Sequence, residues 1–384
     1  MLQYIYHNNF FIMTSIHQNT PKKNNYSIVL SIESSCDDTA CALIQSNGKV
    51  LAEAIHTQRE HNCFGGVVPE IAARAHLSHL PGLVSSVMQT AHISWHHIDA
   101  IAATCGPGLI GGVIVGCTFA KGLALAQNIP FIGINHIEAH ALTVRIPKKN
   151  LSQIPFPYLL FLASGGHCQT IVVNAIGQYT QLGGTVDDAA GEVFDKVAKM
   201  LGLPWPGGPA LESLAKNGNE NSFTFPKPLF NRKNCDFSFS GLKTAVSNLI
   251  DDQPYTGSLP KQLAADIAAS FQKTITETII NRLQYAIEVT PQITTFAAAG
   301  GVASNTYLRQ KLFQLAEKNN LQFVVPPIEY CTDNAVMIGW TAIEKLILAR
   351  TKHIALDDIS LLPRPRWPLS EISDKPIESA KDNL

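Results

Sequence analysis

Short apolar runs and polar loops follow one another along the chain in an order that occurs twice. Residues 28–33 are rich in strand-forming side chains, residues 34–39 form a polar loop, and residues 40–44 form a second apolar run. Asn47-Gly48 then favours a hairpin turn into a third strand. The pattern predicts three consecutive strands at the start of the fold.

The same opening returns in the second half of the chain. Residues 158–163 form an apolar run, residues 164–168 a polar loop, and residues 170–173 another apolar run that ends in a turn around Gly177. We therefore expect an internal duplication.

A strand, a glycine turn and a helix also recur in that order. The first copy is residues 98–104, Gly106-Pro107-Gly108 and residues 111–127, and the second is residues 293–299, Gly300-Gly301 and residues 303–317. Two similar lobes that face each other leave a cleft, and ligands tend to bind in such clefts. The sequence predicts a duplicated α/β fold with two lobes and a central cleft.

The repeats also suggest lobe boundaries. We expect a first lobe of residues 27–135 together with about residues 330–365, and a second lobe of residues 136–329. Residues 1–26 lack the pattern of a signal peptide and are predicted to be a flexible extension, while residues 366–384 are predicted to be a flexible tail.

Composition favours a folded cytoplasmic protein. The 384 residues exceed the roughly 250 to 300 at which single cores stop growing, and 46% of them are hydrophobic against 15% charged. The formal net charge of -1 gives no sign of a protein that binds nucleic acid unaided. The eight cysteines form no CxxC pair, which indicates reduced thiols. Residues 100–120 are uncharged, but their glycines and Pro107 favour a strand, a turn and a packed helix over a membrane span.

His136 and His140 are the first candidate metal ligands. Their i, i+4 spacing places both imidazoles on one face of a helix, although two surface histidines would show the same spacing. A zinc protease would need a glutamate directly after the first histidine, whereas Glu138 lies roughly 200° around the helix and faces away. Asp333, just ahead of an apolar helix, is a candidate third ligand or alternatively the N-cap of that helix.

Two loops at equivalent points of the repeat carry groups that suit phosphate. Ser164-Gly165-Gly166 offers a hydroxyl and closely approachable backbone N–H groups. Ser35, Asp37 and Asp38 in the matching loop suit a phosphate bridged by a metal ion. Either loop alone can be an ordinary turn, so the symmetric placement favours the phosphate interpretation.

Three further segments extend the candidate site. Residues 300–305 end a buried strand and open a helix, which predicts a nucleoside site or else a close packing contact. Residues 187–196 crowd four carboxylates before a Pro-Gly-Gly-Pro turn, which indicates a bound partner or a solvated helix face. Lys243 either faces phosphate or is a surface cation.

Taken together, these segments resemble one family, the TsaD family of tRNA threonylcarbamoyl-adenosine transferases. The resemblance extends from about residue 27 to residue 369 with the motifs in order. The motifs are residues 32–39, 65–70, 106–109, 136–140, 164–167, 187–196, 237–244, 300–305 and 331–334.

The resemblance implies the ribonuclease H-like fold of actin, sugar kinases and chaperone ATPases. It also implies transfer of a threonylcarbamoyl group from threonylcarbamoyl-AMP to N6 of adenosine 37, in tRNAs that read codons beginning with A. One divalent metal ion, iron in preference to zinc, would be held by His136, His140 and Asp333. The substrate or nucleotide would be held by Leu162, Ala163, Ser164, Gly165, Gly166, Asp195, Gly208 and Asn305.

The family's bacterial members work on tRNA with a degenerate TsaB-type paralogue and a small TsaE-type ATPase, and ATP with Mg²⁺ is a further expected ligand. Ser34, Asp38 and Ala139 depart from the usual Thr, Glu and Gly, which bears on nucleotide affinity. A metallopeptidase, a small-molecule kinase and a non-catalytic nucleotide-binding subunit are the alternatives.

Overall fold

Two five-stranded sheets form the framework of the protein. The computed structural model describes residues 26–64, 66–147, 153–230, 232–254, 259–352, 356 and 359–372. The first sheet, in the order β3-β2-β1-β4-β5, contains β1 (Ile28–Glu33), β2 (Asp38–Gln45), β3 (Val50–Thr57), β4 (Ala100–Gly106) and β5 (Phe131–Asn135). The second, in the order β10-β9-β6-β7-β8, contains β6 (Tyr158–Ala163), β7 (Cys168–Ala175), β8 (Gln178–Gly184), β9 (Thr295–Ala299) and β10 (Gln322–Val324).

The two sheets share one topology. In the first, β1 pairs antiparallel with β2 and parallel with β4; in the second, β6 pairs antiparallel with β7 and parallel with β9. The opening hairpins close at equivalent pairs, Glu33 opposite Ala40 and Ala163 opposite Cys168. The predicted duplication is therefore confirmed.

Helices cover both faces of each sheet. They are α1 (Pro69–Thr90), α2 (Ile110–Gln127), α3 (His136–Thr143), α4 (Ala190–Met200), α5 (Gly207–Ala215), α6 (Ser240–Asp251), α7 (Lys261–Glu288), α8 (Thr306–Lys318) and α9 (Ala335–Lys352). The outer face of the first sheet packs on α1 and α2, and that of the second packs on α4 to α8. Helices α3 and α9 share one apolar core with the inner faces of both sheets.

The start of α9 is held directly against the first sheet. Ser31 Oγ on β1 donates a hydrogen bond to the carbonyl oxygen of Ala335 at 2.7 Å. Asn334 caps the helix by accepting from the backbone N–H of Met337 at 2.8 Å. The N-cap role weighed for Asp333 thus belongs to Asn334, and the Asp333 side chain is free to point elsewhere.

Helix α2 explains the uncharged stretch in the first half of the chain. In the described residues it is the one helix long and apolar enough to cross a membrane, by length and composition. Its glycines have a packing reason, since a side chain at Gly112 would collide with the carbonyl oxygen of Ser34. A Cβ at Gly108, in the preceding turn, would lie 2.6 Å from the carbonyl oxygen of Ser35. The predicted strand, turn and packed helix are present.

Residues 359–372 pack against the first sheet, and their last turn also contacts β8 of the second sheet. The backbone N–H of Arg364 donates to the carbonyl oxygen of Cys105 at 2.7 Å, and Asn135 Nδ2 donates to the carbonyl oxygen of Trp367 at 2.8 Å. Because Trp367 and Leu369 are buried, residues 366–372 differ from the expected flexible tail. Residues 1–25 and 373–384 lie outside the described residues, and the lobe boundaries stay a prediction.

Candidate metal and nucleotide site

Helix α3 begins at the end of β5 and carries both histidines. The Asn135 side chain caps it by accepting hydrogen bonds from the backbone N–H groups of Ile137 and Glu138, at 2.9 and 3.2 Å. His136 and His140 lie on one face as their spacing predicts, with ring centroids 4.7 Å apart and ring planes nearly perpendicular. Both side chains are buried.

Asp333 completes a set of three donors. Its Oδ1 lies 3.1 Å from His140 Nε2 and 3.5 Å from His136 Nε2, and ligand atoms of the three residues all lie within 4.8 Å of one another. Tetrahedral ligands at metal distances of about 2.1 Å are separated by about 3.4 Å. The donor set therefore fits one metal ion with a position left open for a further ligand.

A buried carboxylate contacts the Nδ1 side of the His136 ring. Glu33 Oε2 lies 3.2 Å from His136 Nδ1 and accepts a hydrogen bond from Thr104 Oγ1 at 2.5 Å, while Oε1 accepts from the backbone N–H of Ser35 at 2.6 Å. Ser35 Oγ also lies 3.2 Å from His136 Nδ1. A proton on Nδ1 satisfies the carboxylate and leaves the Nε2 lone pair available to a metal.

The charges of this cluster depend on one another. Burial opposes protonation of His136, but the carboxylates of Glu33 and Asp333 outweigh it and raise the pKa of His136 to about 10. Burial likewise opposes ionisation of Asp333, yet His136 and His140 hold its pKa well below the usual range. Burial, together with His136 and His140, lowers the pKa of His167 to about 4.

Glu138 points away from the three donors. It is fully buried, accepts a hydrogen bond from the Tyr179 hydroxyl at 2.8 Å, and pairs with Lys345 Nζ at 3.0 Å. The arrangement gives this glutamate a structural partner on each side and no access to a metal-bound substrate. The prediction that it faces away is confirmed.

The glycine loop of the second sheet lies beside the histidines. Ser164 closes it, donating its N–H to the His167 carbonyl at 2.8 Å and accepting from the His167 N–H at 3.2 Å. Gly165 and Gly166 at its tip are exposed, and the His167 ring centroid lies 6.3 Å from that of His136. The loop expected to hold phosphate thus adjoins the donor set.

The acidic loop of the first sheet approaches from the other side. Ser35 contacts His136, while Asp38 opens β2 with a half-buried side chain beside Thr57. Burial raises the pKa of Asp38 to about 7, although the hydrogen bond with Thr57 opposes it. Asp37 is close enough to raise the pKa of Asp195 across the cleft.

Asp195 and Gly208 meet in the structure. Asp195 Oδ1 on α4 accepts a hydrogen bond from the Gly208 N–H at the start of α5 at 3.2 Å. Burial raises the pKa of Asp195, and the N–H groups of Gly208 and Gly207 oppose that rise. The two predicted contact residues therefore lie in direct contact with each other.

Asn305 already has structural partners. Its Oδ1 caps α8 by accepting from the Leu308 N–H at 2.9 Å, and its Nδ2 donates to Gln272 Oε1 at 2.9 Å. A short 3-10 turn, Gly301–Ser304, separates β9 from α8, so the helix begins later than predicted. Gly300 is required before that turn, since its φ is +90° and a side chain would collide with Ala163.

The expected carboxylate repulsion on α4 is offset by lysines. Lys243 Nζ pairs with Asp188, and Lys196 Nζ lies 2.6 Å from Glu192 Oε1. Asp187 instead caps α6, accepting from the Phe239 N–H at 2.8 Å and the Ser240 hydroxyl at 2.7 Å. In this structure Lys243 has an acidic partner, and its contact with phosphate stays a prediction.

The sequence matches the family described as TsaD, tRNA N6-adenosine threonylcarbamoyltransferase, over residues 49–340. The chain belongs to the TsaD family. The TsaD relative named tRNA N6-adenosine threonylcarbamoyltransferase in Gluconobacter oxydans is 54% identical over 346 residues, which cover 89% of this chain and 93% of the relative. The enzyme of the same name in Paramagnetospirillum magneticum is 48% identical over 353 residues, 91% of this chain and 99% of that enzyme.

Solved structures resemble the TsaD chain in fold. Full-length HypF in its phosphate- and nucleotide-bound form has a TM-score of 0.54 at 13% identity, over 84% of this chain and 56% of HypF. T. kodakarensis HypF gives the same TM-score at 14% identity, over 84% of this chain and 48% of that protein. The likeness confirms the two-lobed α/β architecture.

Two residues near the TsaD donor set received no role from the sequence, Glu33 and His167. Glu33 is the last residue of a buried strand and immediately precedes the polar loop, a position from which a carboxylate points toward the cleft. His167 ends the glycine loop. The sequence indicates these two residues only by their position next to strand ends. That position points to a functional role only when the fold brings the two strand ends together.

Proposed function

We propose that this TsaD-family protein transfers the threonylcarbamoyl group from threonylcarbamoyl-AMP to N6 of adenosine 37 in tRNAs that read codons beginning with A. The N6 amino group attacks the carbamoyl carbon, the new N–C bond forms, the bond from that carbon to the phosphate oxygen breaks, and AMP leaves as N6 loses a proton. The observation that supports this most is the position of the His167 ring, 6.3 Å from that of His136, because His167 ends the loop proposed to bind phosphate and His136 is a proposed metal ligand.

In this proposal His136, His140 and Asp333 hold one divalent metal ion, with Fe²⁺ preferred to Zn²⁺. Bound there, the ion supplies a Lewis acid for an oxygen of the acyl donor. Glu33 keeps the proton on His136 Nδ1, so that Nε2 remains a ligand atom. Helix α3 excludes water from the donors, because both histidines are buried in the core shared by the two sheets.

The nucleotide half of the donor lies across the cleft. The backbone N–H groups of Gly165 and Gly166 and the Ser164 hydroxyl, next to Leu162 and Ala163 at the end of β6, stabilise negative charge on the departing AMP. Its ribose and base are bound by Asp195, by Gly208, to which Asp195 is hydrogen-bonded, and by Asn305. Ser35, Asp37, Asp38 and Lys243 are proposed phosphate or metal contacts, which would also serve ATP with Mg²⁺.

We further propose a cytoplasmic protein that acts with a TsaB-type paralogue and a TsaE-type ATPase. The near-neutral charge supports a need for partners in holding tRNA. A face of α1 and α2 supports a protein partner: Leu77, Ile110 and Ile114 are 65%, 46% and 45% exposed. The two helices that carry these side chains pack closely together, since a Cβ at Gly111 would lie 2.9 Å from the Ala73 methyl group.

The test is reconstitution of the purified protein with its partners, threonylcarbamoyl-AMP and unmodified tRNA, followed by mass analysis of tRNA nucleosides. We expect the modified adenosine from the wild type and none from His136→Ala or Asp333→Ala. Unmodified adenosine from wild-type protein that binds metal normally would refute the proposal. Metal-dependent cleavage of a folded protein substrate would support a peptidase instead.

A further inference from the structure

A cavity lined in part by His167 and Pro107 lies beside the donor set. It has a volume of about 210 Å³ and lies between residues 366–369 and the second sheet. Ile137 and His167 form its wall toward the histidines, and Gln169, Gln181 and Arg366 supply its polar groups. Ile137 directly follows His136 on α3, so a group bound at the metal can extend into this cavity.

Three polar groups in its lining lack partners among the described residues, and the buried Trp367 Nε1 is one of them. Gln169 Oε1 is buried and has no hydrogen-bond partner among the described residues. A buried acceptor left unpaired costs about 1 to 3 kcal/mol, so such an atom indicates a site that a ligand or water completes.

Arg366 is the third group. Its neighbour Arg364 pairs with Glu371 and stacks on Trp367, with the guanidinium carbon 5.3 Å from the ring centroid. Arg366 is exposed, and within the described part of the chain no carboxylate pairs with it. The cavity therefore combines two unpaired donors, Arg366 and the Trp367 N–H, with one unpaired acceptor and apolar surface from Ile137.

We propose that this cavity binds the amino-acid end of the acyl donor, with Arg366 on the α-carboxylate, Gln169 on the side-chain hydroxyl, and the apolar wall against the methyl group. The inference rests on the proposed function and assigns the specificity of the same site. A threonyl group presents one anion, one hydroxyl donor and one methyl, which matches the three kinds of group found here. Arginine forms a two-pronged contact with a carboxylate, and an amide oxygen accepts a hydroxyl proton.

Three acyl donors distinguish the three proposed contacts from one another. The first carries threonine, the second carries 1-aminopropan-2-ol, which lacks the carboxylate, and the third carries 2-aminobutyrate, which lacks the hydroxyl. Each is supplied as its carbamoyl-AMP to the wild type, Arg366→Gln and Gln169→Leu, together with the partner proteins and tRNA. Arg350→Gln is the matched control, because Arg350 is also exposed and hydrogen-bonds only Ser27 Oγ at 2.9 Å among the described residues.

With the threonyl donor we expect kcat/KM of Arg366→Gln to fall by about tenfold or more, the usual effect of losing a hydrogen bond to a charged group. With the donor that lacks the carboxylate, the same variant should match the wild type. Gln169→Leu should lose roughly three- to tenfold with the threonyl donor and little with the donor that lacks the hydroxyl. Arg366→Lys should recover part of the activity, and Arg350→Gln should match the wild type throughout.

Equal losses of Arg366→Gln with all three donors, or a raised KM for tRNA alone, would overturn the inference, the latter by assigning Arg366 to the tRNA backbone. Equal losses of Gln169→Leu with all donors would remove the hydroxyl contact. An inactive wild type with the threonyl donor would instead refute the proposed function itself, and this inference with it. Melting temperatures of all variants show whether a loss reflects unfolding.

Discussion

Replacing Glu33 with glutamine tests whether the carboxylate behind His136 tunes the metal site. The two oxygens of Glu33 face only donors: Thr104 Oγ1 at 2.5 Å and His136 Nδ1 at 3.2 Å on one side, and the Ser35 N–H at 2.6 Å on the other. A glutamine has nearly the same shape, but one of its ends is an NH₂ group. Whichever way the amide is oriented, a donor then faces a donor.

The expected loss follows from the position of this charge. Removing a carboxylate partner of a metal-bound histidine usually weakens metal binding by about 10- to 100-fold, or about 1.4 to 2.7 kcal/mol. We expect the upper part of that range, because Glu33 is 0% exposed and water does not screen its effect on His136. His136 also loses the acceptor that keeps its proton on Nδ1.

The measurement is competition between metal-free protein and a chromogenic chelator, with metal content checked by mass spectrometry. Glu138→Gln is the matched control, since Glu138 is equally buried and lies on the helix that carries His136, but contacts Tyr179 and Lys345. It should lower stability, by weakening the pair with Lys345, and keep the metal affinity of the folded protein. Wild-type affinity in Glu33→Gln, or equal weakening in both variants, would refute the reasoning.

Further predictions concern protons and backbone geometry. Because the pKa of His136 rises from 6.5 to about 10 on folding of the metal-free protein, its stabilising effect is complete below pH 6.5 and is lost as pH rises through 10. The melting temperature of chelated wild type should fall across that window, and His136→Asn should flatten the fall. Metal uptake at neutral pH should release about one proton, measured as the dependence of binding heat on buffer ionisation enthalpy; no release would contradict the raised pKa. Gly300→Ala should cost about 2 to 4 kcal/mol in denaturant unfolding, whereas Gly301→Ala, whose added carbon meets nothing nearer than 3.8 Å, should be close to neutral, and equal costs would exclude the backbone explanation.

The sequence predicts the fold well because the duplication is visible in local patterns. Each three-stranded opening and each strand, glycine turn and helix could be recognised from apolar periodicity alone, and the structure has them in the predicted order. The histidine pair was equally accessible, since an i, i+4 spacing on a helix fixes which side chains are neighbours. Local periodicity contains that information without any knowledge of the rest of the chain.

Contacts between distant segments were less accessible. Asp333 lies 193 residues from His140, and its competing role as an N-cap was settled only by Asn334, which occupies that role. The pairing of Lys243 with Asp188 and the hydrogen bond of Asn305 to Gln272 likewise depend on how distant helices pack. A sequence shows that a polar group is present, whereas the fold decides which partner reaches it first.

The duplication also explains how one cleft can serve both halves of the proposed acyl donor. The hairpins of β1 with β2 and β6 with β7 end at equivalent places, so their loops face each other across the core that contains α3. The first loop retains acids and hydroxyls beside His136, whereas the second has two exposed glycines and no acid. One copy therefore stabilises positive charge at the histidines, and the other can accept negative charge on a phosphate. Because α3 packs on both sheets, any movement of one lobe relative to the other changes the distance between these two loops, and with it the fit of a donor that must contact both.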